Sequence, residues 1–244
     1  MSLTILHTND FHGHFTAEQA KVVEELHGKY PNALLVDCGD AITAGNVGVK
    51  PGGEPVLELM SDTGYLCMTM GNREFHISDT LLRVKIGKAR FPILCANMRW
   101  KEDKGESLPV APNIVTTTKD GLRVGIFGLT VPMVTPRMAA RVVSAYLFDD
   151  PIIVAKQQIA ELAGSVDYII ALTHIGIKED KRLAEACPEL DTIIGGHTHV
   201  VLQEPEVVAG VPIVQAGWHG HYIGRLTLEK GAPATGELFP LKAK

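Results

Sequence analysis

The chain has 244 residues, a formal net charge of -5 with its ten histidines counted as neutral, and 45% hydrophobic residues. A chain of this length can bury a substantial core, as one large domain or two small ones. The acidic balance gives no basic excess for binding a nucleic-acid polymer. No stretch reaches the roughly 18 apolar residues of a transmembrane helix. The composition therefore favours a globular protein without a nucleic-acid or membrane partner.

The amino terminus and the cysteines indicate the compartment. The first ten residues, MSLTILHTND, lack a basic region followed by an apolar core and a small-residue cleavage site, so no signal peptide is predicted. The four cysteines are far apart and form no C-x-x-C pair, which is typical of buried free thiols in a reducing compartment. These features predict a cytoplasmic protein.

Short apolar runs alternate with amphipathic segments along the whole chain. The apolar runs predict buried strands at Leu3–His7, Ala33–Asp37, Leu66–Met70, Pro92–Ala96, Arg123–Leu129, Tyr168–Thr173 and Thr192–Gly195. Apolar residues at i, i+3 and i+4 predict helices at Ala17–His27, Val56–Asp62, Asp79–Ala89, Pro151–Ala163 and Lys178–Ala186. This alternation is typical of an α/β fold with helices flanking the sheet.

Three pairs of segments add an antiparallel character. Hairpins are predicted for Val110–Thr118 with Arg123–Leu129, for Glu206–Val208 with Pro212–Gln215, and for Tyr222–Glu229 with Glu237–Pro240. Two packed sheets with helices outside them accommodate both patterns. No internal repeat or linker divides the chain, so a single domain over residues 1–244 is expected. The loop Ala44–Pro55 is interpreted as a surface connection rather than a substrate lid, because loops are surface features first.

Metal-capable side chains follow five of the predicted strands. They are Asp10, His12 and His14 in HTNDFHGH, Asp40 in VDCGD, Asn72 in MGNREFH, His174 in THIG, and His197 and His199 in GGHTHV. Each fragment alone is common in turns, where Asp and Asn hydrogen-bond to their own backbone. In open α/β sheets, however, ligands bind at the carboxyl ends of strands. The ordered set therefore predicts a metal site at one edge of one sheet.

The residue types indicate the chemistry of this site. Mixed carboxylate, amide and imidazole ligands without thiolate suit Mn, Fe, Zn or Co. Two such ions about 3.5–4 Å apart need a bridging anion, and a carboxylate such as Asp40 can span them. A water shared by the two ions has a pKa lowered towards about 7, which provides hydroxide at neutral pH for attack on phosphorus. A centre with two divalent ions is therefore predicted.

Six motifs carry a resemblance to a known family. ILHTNDFHGHF, VDCGD, MGNREF, THIG, GGHTHV and VQAGWHGHYIGRL together resemble the calcineurin-like metallophosphoesterases, and within them the catalytic domain of the 5'-nucleotidase, UDP-sugar hydrolase and 2',3'-cyclic-nucleotide phosphodiesterase family. The resemblance implies a four-layer α/β/β/α sandwich with two mixed sheets, and hydrolysis of phosphoric esters by a metal-bridged hydroxide. It also implies the ligand sets: Asp10, His12, Asp40 and His199 for one metal, and Asp40, Asn72, His174 and His197 for the other.

Two departures from the family pattern bear on activity. The family's His–Asp pair, which stabilises the transition state or protonates the leaving group, is replaced by Arg73 and His76. An Arg stabilises a phosphoryl oxygen but donates no proton near neutrality, so His76, His219 or His221 would have to donate one. His76 fits equally a helix-start histidine bonded to backbone, and the other two fit a surface loop. The family's C-terminal nucleotide-binding domain is also missing from this chain, which favours a smaller or more promiscuous phosphoester over a nucleotide.

Two other functions explain parts of the pattern. A metal-binding protein that has lost catalysis would account for the replaced pair, although such a protein has little reason to keep seven ligands. A nuclease is disfavoured by the acidic net charge. The leading prediction is a metal-dependent hydrolase of phosphoric monoesters or diesters, with a small phosphoester as substrate and nucleotides among the candidates.

Overall fold

The computed structural model describes residues 2–241, so the predicted domain of residues 1–244 extends beyond the described residues at both ends. The strands are β1 Ser2–Thr8, β2 Leu34–Asp37, β3 Cys67–Thr69, β4 Ile93–Leu94, β5 Met98–Trp100, β6 Asn113–Thr117, β7 Arg123–Thr130, β8 Tyr146–Phe148, β9 Tyr168–His174, β10 Thr192–Ile194, β11 Glu206–Val208, β12 Val211–Val214, β13 Tyr222–Glu229 and β14 Thr235–Pro240. The helices are α1 Ala17–Lys29, α2 Pro55–Thr63, α3 Asp79–Ile86, α4 Pro151–Leu162 and α5 Ile177–Ala186, with a short 3₁₀ helix at Ala139–Val142.

Two six-stranded mixed sheets form the centre of the fold. The first has the order β14-β13-β1-β2-β3-β4, in which β1 to β4 run parallel. The second has the order β11-β12-β10-β9-β7-β6, in which β12, β10, β9 and β7 run parallel. The three predicted hairpins are confirmed as the antiparallel pairs β6–β7, β11–β12 and β13–β14.

The alternation of side chains along each strand sets the layers, because successive residues point to opposite faces of a sheet. Ile5 of β1 and Ile126 of β7 lie in one apolar cluster between the two sheets. The neighbouring Leu6 lies in a second cluster that includes buried residues of α1, α2 and α3. Phe127 lies in a third cluster with α4 and α5. The predicted four-layer α/β/β/α sandwich is therefore confirmed.

Local signals set most helix ends. The side chain of Thr16 accepts a hydrogen bond from the backbone of Gln19, whose side chain bonds back to Thr16, and this capping box begins α1. Asp150 caps α4 by accepting from two backbone N–H groups. The predicted helix Asp79–Ala89 is too long, because α3 ends at Ile86 where Gly87 follows. The other four helices lie within two residues of their predicted bounds.

Two strands are much shorter than predicted. Only Ile93–Leu94 of the predicted strand Pro92–Ala96 pairs in the first sheet, because Ala96 donates its backbone N–H to Gly128 of β7 in the second sheet. The predicted strand Val110–Thr118 begins only at Asn113, and Pro112 before it has no N–H to give to a ladder. Strands therefore end where their backbone groups find other partners.

One small sheet was not predicted. Met98–Trp100 pairs antiparallel with Tyr146–Phe148, although the two segments are far apart in the chain and no local turn joins them. The predicted free thiols are confirmed, since Cys38, Cys67, Cys95 and Cys187 are all buried and form no disulfide. None of the helices in the described part of the chain is long and apolar enough to span a membrane.

Candidate metal centre

The candidate ligands lie at the carboxyl ends of strands from both sheets. Asp10 and His12 follow β1, Asp40 follows β2, Asn72 follows β3, His174 is the last residue of β9, and His197 and His199 follow β10. The expectation of one edge of one sheet was wrong, because β1 to β3 belong to the first sheet whereas β9 and β10 belong to the second. The site therefore lies where the carboxyl ends of the two sheets meet.

The first group of ligand atoms consists of Asp10, His12 and His199. The Nε2 atoms of the two histidines are 3.0 Å apart. Oδ1 of Asp10 lies 3.5 Å from Nε2 of His12 and 3.3 Å from Nε2 of His199. Asp10 is fully buried, whereas the side chain of His199 is 38% exposed. The three ligand atoms thus converge on one point at the edge of the solvent.

The second group extends from the first through Asp10. Ligand atoms of Asp10, Asp40 and His174 all lie within 4.8 Å of one another, and Nε2 of His174 is 3.5 Å from Oδ1 of Asp40. Nδ1 of His197 is 3.0 Å from Oδ1 of Asn72, and the backbone N–H of His197 donates to Oδ2 of Asp10 at 2.9 Å. The structure therefore brings all seven predicted ligands into one cluster.

Two buried ligand atoms are suited to binding a cation. Within residues 2–241, Oδ1 of Asp10 and Nε2 of His174 have no hydrogen-bond partner. A buried polar atom without a partner costs free energy, so such atoms are rare in native proteins. A divalent metal ion would accept a lone pair from each of them. The surrounding carboxylate, amide and imidazole donors, which include no thiolate, are those that Zn, Mn, Fe or Co prefer.

The electrostatics of the cluster also favour a cation. Burial lowers the pKa of the His174 imidazole, but the Asp40 carboxylate outweighs burial and raises that pKa to about 10. Burial likewise raises the pKa of Asp10, but the imidazoles of His12 and His199 outweigh it and hold that pKa below its usual range. The two carboxylates thus create a field that holds positive charge in a buried place.

The backbone of the ligand loops is strained. Five of the seven candidates adopt the left-handed conformation that favours glycine: Asp10 at φ 55°, His12 at 50°, Asp40 at 54°, His197 at 75° and His199 at 57°. Such conformations are uncommon for other residues and cluster at functional sites. Cross-loop backbone bonds maintain them, since Asp10 donates to the carbonyl of Gly39 and His12 donates to that of Asp40.

Glu74 joins two ligand loops and was not singled out from the sequence. Its fully buried carboxylate accepts hydrogen bonds from the backbone N–H groups of Asp40, Ala41 and Gly71 at 2.8–2.9 Å, and a longer one from Ile42. The loops that carry Asp40 and Asn72 are therefore held together by one side chain. The signal was a charged residue two positions after Asn72 in MGNREF, but most of its partners lie in the loop after β2.

Asn9 and Trp218 support the first group and were also not predicted as site residues. The side-chain amide of Asn9 donates to Oδ2 of Asp10 at 2.8 Å, while its oxygen accepts from the backbone of Ala216. The indole ring of Trp218 stacks on His199 with 5.6 Å between ring centroids. Both contacts orient ligands from outside the cluster.

The two residues that replace the family's His–Asp pair lie in different surroundings. The backbone N–H of Arg73 donates to Oδ1 of Asp40 at 2.7 Å, and its guanidinium Nε lies 3.7 Å from Oδ2. Arg73 is thus in contact with the cluster. Nδ1 of His76 instead accepts from the backbone N–H of Ser78, the residue before α3. His76 therefore makes the local contact of a helix-start histidine.

The other histidines near the site come from the loops after β1 and β12. The ring of His219 lies 4.1 Å from that of His14 and 5.5 Å from that of His12, measured between centroids. The backbone N–H of His219 donates to the carbonyl of Asp10 at 2.8 Å. His221 contacts Trp218 at 5.2 Å. His219 is therefore packed against the ligands and does not lie on a plain surface loop.

Comparison with known proteins agrees with this fold and site. Residues 3–201 match the family model of the calcineurin-like phosphoesterases, and the chain belongs to this family. It is 30% identical over 273 residues to the trifunctional nucleotide phosphoesterase protein YfkN of Bacillus subtilis (strain 168). The aligned region covers 96% of this chain and 18% of that protein. It is also 31% identical to a 5'-nucleotidase of Vibrio vulnificus (strain CMCP6), in an aligned region that covers 93% of this chain and 48% of that enzyme.

The fold comparison leads to the same group of proteins. The crystal structure of the 5'-nucleotidase precursor from Thermus thermophilus superposes with a TM-score of 0.81 at 26% identity. The superposition covers 98% of this chain and 54% of that one. The chain thus spans about half of the length of this protein and of the Vibrio enzyme, and a smaller part of YfkN.

Proposed function

We propose that this chain is a metal-dependent hydrolase of phosphoric esters that holds two divalent ions. The observation that carries the proposal is the convergence of seven candidate oxygen and imidazole ligands from five loops, with two of their buried ligand atoms unpartnered among the described residues. Membership of the calcineurin-like phosphoesterases supports it. When bound, the ions lower the pKa of a shared water and neutralise charge on the phosphoryl oxygens.

The residues divide into two ligand sets that share Asp40. Asp10, His12, Asp40 and His199 would hold one ion, and Asp40, Asn72, His174 and His197 would hold the other. The short distances between His12 and His199, and between Asn72 and His197, support this division. Asp40 suits the shared position because it lies beside both Asp10 and His174.

Arg73 is the cationic group that this chain adds to the site. Its guanidinium lies near Asp40 and also donates to the carbonyl oxygen of Thr43 at 3.3 Å. A guanidinium held on two sides can orient and stabilise a phosphoryl oxygen, but it does not protonate a leaving group near neutral pH. Where a proton is needed, the packing of His219 against His12 supports His219 as donor ahead of His76, whose Nδ1 is used locally.

The substrate we propose is a small phosphoester, with a nucleoside monophosphate as the first compound to test. The names of the relatives, a 5'-nucleotidase and a nucleotide phosphoesterase, support this choice. The acidic net charge of the chain gives no support to a nucleic-acid polymer as substrate. Loss of catalysis is not favoured, because all seven candidate ligands are retained.

The direct test combines metal analysis with activity. Protein as purified would be analysed for bound metals, then assayed with added Mn or Zn on nucleoside monophosphates, cyclic nucleotides, aryl phosphates and a dinucleotide. We expect close to two ions per chain and hydrolysis of at least one class of ester. Asp10→Asn serves as the inactive control. Stoichiometric metal without hydrolysis of any ester would favour a protein that only binds metal.

A further inference from the structure

The segment Thr43–Gly48 lies beside the loop that carries Asn72 and is held by buried charge. From Ala44 onwards it forms the first part of the loop Ala44–Pro55, which the sequence predicts to be a surface connection. The fully buried carboxylate of Glu54 accepts from the backbone N–H groups of Thr43 at 3.3 Å and Ala44 at 3.0 Å. The start of the segment is therefore fixed from within the protein.

Lys85 of α3 holds the next part of the segment. Its side chain is fully buried, and its ammonium donates to the carbonyl oxygens of Gly45 at 2.9 Å, Asn46 at 3.5 Å and Phe75 at 3.2 Å. Burying an ammonium is costly unless its donors are satisfied. Here the donors of Lys85 are satisfied by carbonyl oxygens of the segment and by that of Phe75, which lies three residues after Asn72. The ammonium of Lys85 therefore links the segment to the ligand loop.

The side chain of Asn46 makes the contact that bears on the metal centre. Its Oδ1 accepts a hydrogen bond from Nδ2 of Asn72 at 3.0 Å. The other end of the same amide, Oδ1 of Asn72, lies 3.0 Å from Nδ1 of His197. The oxygen of an amide has lone pairs and can bind a cation, whereas its NH₂ group is a donor. The acceptor on Asn46 therefore determines which end of Asn72 faces the cluster.

We propose that Asn46 is a positioning residue of this metal centre, and that Glu54 and Lys85 keep its backbone rigid for that purpose. Asn46 holds the amide of Asn72 so that its oxygen faces His197, on the side where Asn72, His174 and His197 would bind the second ion. The inference rests on the proposed function only in taking Asn72 as a metal ligand. The proposal predicts that loss of the Asn46 side chain weakens the binding of one of the two ions and not of the other.

The test uses the full chain treated with a chelator and titrated with Zn²⁺ by calorimetry. Asn46→Ala should weaken one of two binding events about 10–100-fold, the usual cost of removing a group that orients a ligand, and leave the other unchanged. Asn46→Asp keeps an oxygen acceptor for Asn72 and should bind both ions almost as wild type does. Val47→Ala is the matched control, because Val47 lies on the same segment and is 87% exposed.

Three results would overturn the proposal: unchanged Zn²⁺ affinity in Asn46→Ala, equal weakening of every binding event in that variant, or equal damage by Asn46→Asp and Asn46→Ala. Lys85→Met gives a second measurement. It should speed amide hydrogen exchange in residues 44–48 and weaken the same binding event as Asn46→Ala, and weakening of a different event would also count against the proposal. A wild-type protein that binds two Zn²⁺ ions but hydrolyses no phosphoester would contradict the proposed function and leave this positioning role intact.

Discussion

Asp10 and Asp40 place two buried carboxylates beside a group of imidazoles. Oδ1 of Asp10 is 3.3 Å from His199, and Oδ1 of Asp40 is 3.5 Å from His174. Both aspartates have left-handed backbone conformations, which only well-braced loops maintain. At the scale of single residues, the charge of these two side chains is therefore the property to change, since Asn substitutes for Asp with little change of shape.

Asp40→Asn should abolish activity while leaving the fold intact. The change removes the negative charge shared by both proposed ligand sets, so the loss in kcat/KM should exceed the roughly 10–100-fold that changes outside the ligand set cost. Activity on an aryl phosphate, bound metal and the circular dichroism spectrum would be measured together. A variant with near wild-type turnover and two bound ions would show that Asp40 does not bridge.

His7 is a buried histidine whose protonation affects the stability of the protein in acid. Its side chain is buried in β1, and Nδ1 has no hydrogen-bond partner among the described residues. Burial lowers the pKa of this imidazole to about 3. Gly224 on the paired strand leaves it room, since a Cβ at position 224 would lie 2.1 Å from Nε2 of His7. The native state therefore holds His7 neutral.

His7→Leu should make stability less dependent on pH in mildly acidic solution. The unfolded chain protonates His7 below about 6.5 and the folded chain does not, so this residue destabilises the wild type progressively as pH falls from about 6.5 towards 3. By pH 5 the contribution should reach about 2 kcal/mol. Urea unfolding of both proteins at pH 7.5, 6 and 5 measures it, and parallel pH profiles would show that His7 does not contribute.

At the scale of elements, the connection from β3 to α3 carries both altered family positions. Arg73 contacts Asp40, and Glu74 fixes the backbone that follows β2. His76 accepts from the N–H of Ser78 at the start of α3. Asp at position 76 also carries an acceptor for that N–H. The connection can therefore receive the family's His–Asp pair and keep the backbone hydrogen bonds of residues 73 and 78, while the guanidinium contacts of Arg73 are lost.

Arg73→His combined with His76→Asp should change how activity depends on the leaving group. Because Arg73 donates no proton, wild-type activity should fall steeply from aryl phosphoesters to alkyl or ribose ones. A general acid raises the rate about 10²–10⁴-fold for poor leaving groups. The double variant should therefore gain most activity on those esters, and its activity should depend less on the leaving-group pKa. Both proteins would be assayed on esters graded by leaving-group pKa, at matched metal occupancy.

A flat profile in the wild type would contradict this account of Arg73. Another residue would then donate the proton, and single Ala variants of His219, His76 and His221 would identify it. The variant that steepens the profile carries the donor. If none of the three does, Arg73 must be explained by substrate binding alone.

At the scale of the whole molecule, the candidate metal centre lies where the two halves of the sandwich meet. The first sheet contributes Asp10, His12, Asp40 and Asn72, and the second contributes His174, His197 and His199. An apolar cluster that includes Ile5 and Ile126 also lies between the sheets. Ions bound at the meeting edge would therefore tie one sheet to the other, and their binding free energy would add to the stability of the native state.

Removal of metal should lower the thermal stability of the whole chain. A ligand present at 100 times its Kd stabilises the native state by about 2.7 kcal/mol, which for a chain of this size is a shift in Tm of about 5–10 °C. Calorimetry with and without a chelator measures the shift, and the Asp40→Asn variant should show a smaller one. Equal Tm values in the two conditions would mean that ions do not join the sheets.

Much of the fold follows from local signals. The capping residues of α1 and the Ala209-Gly210 turn between β11 and β12 act over a few residues, so both elements were predicted near their observed bounds. The pairing of β5 with β8 was not predictable in this way, because its two strands are far apart in the chain and no local turn joins them. The same applies to β4, beyond whose end Ala96 donates its backbone N–H to Gly128 of the other sheet.

The sequence by itself determined which side chains are candidate ligands, because residue type and position after an apolar run are local properties of the chain. From these came the seven candidate ligands, the α/β architecture and the resemblance to the family. The tertiary structure decided that the ligands come from two sheets, and it alone showed Glu74 and Asn46 acting on loops 34 and 26 residues away. The physical reason is that a hydrogen bond needs both partners in place, and folding alone brings such distant groups together.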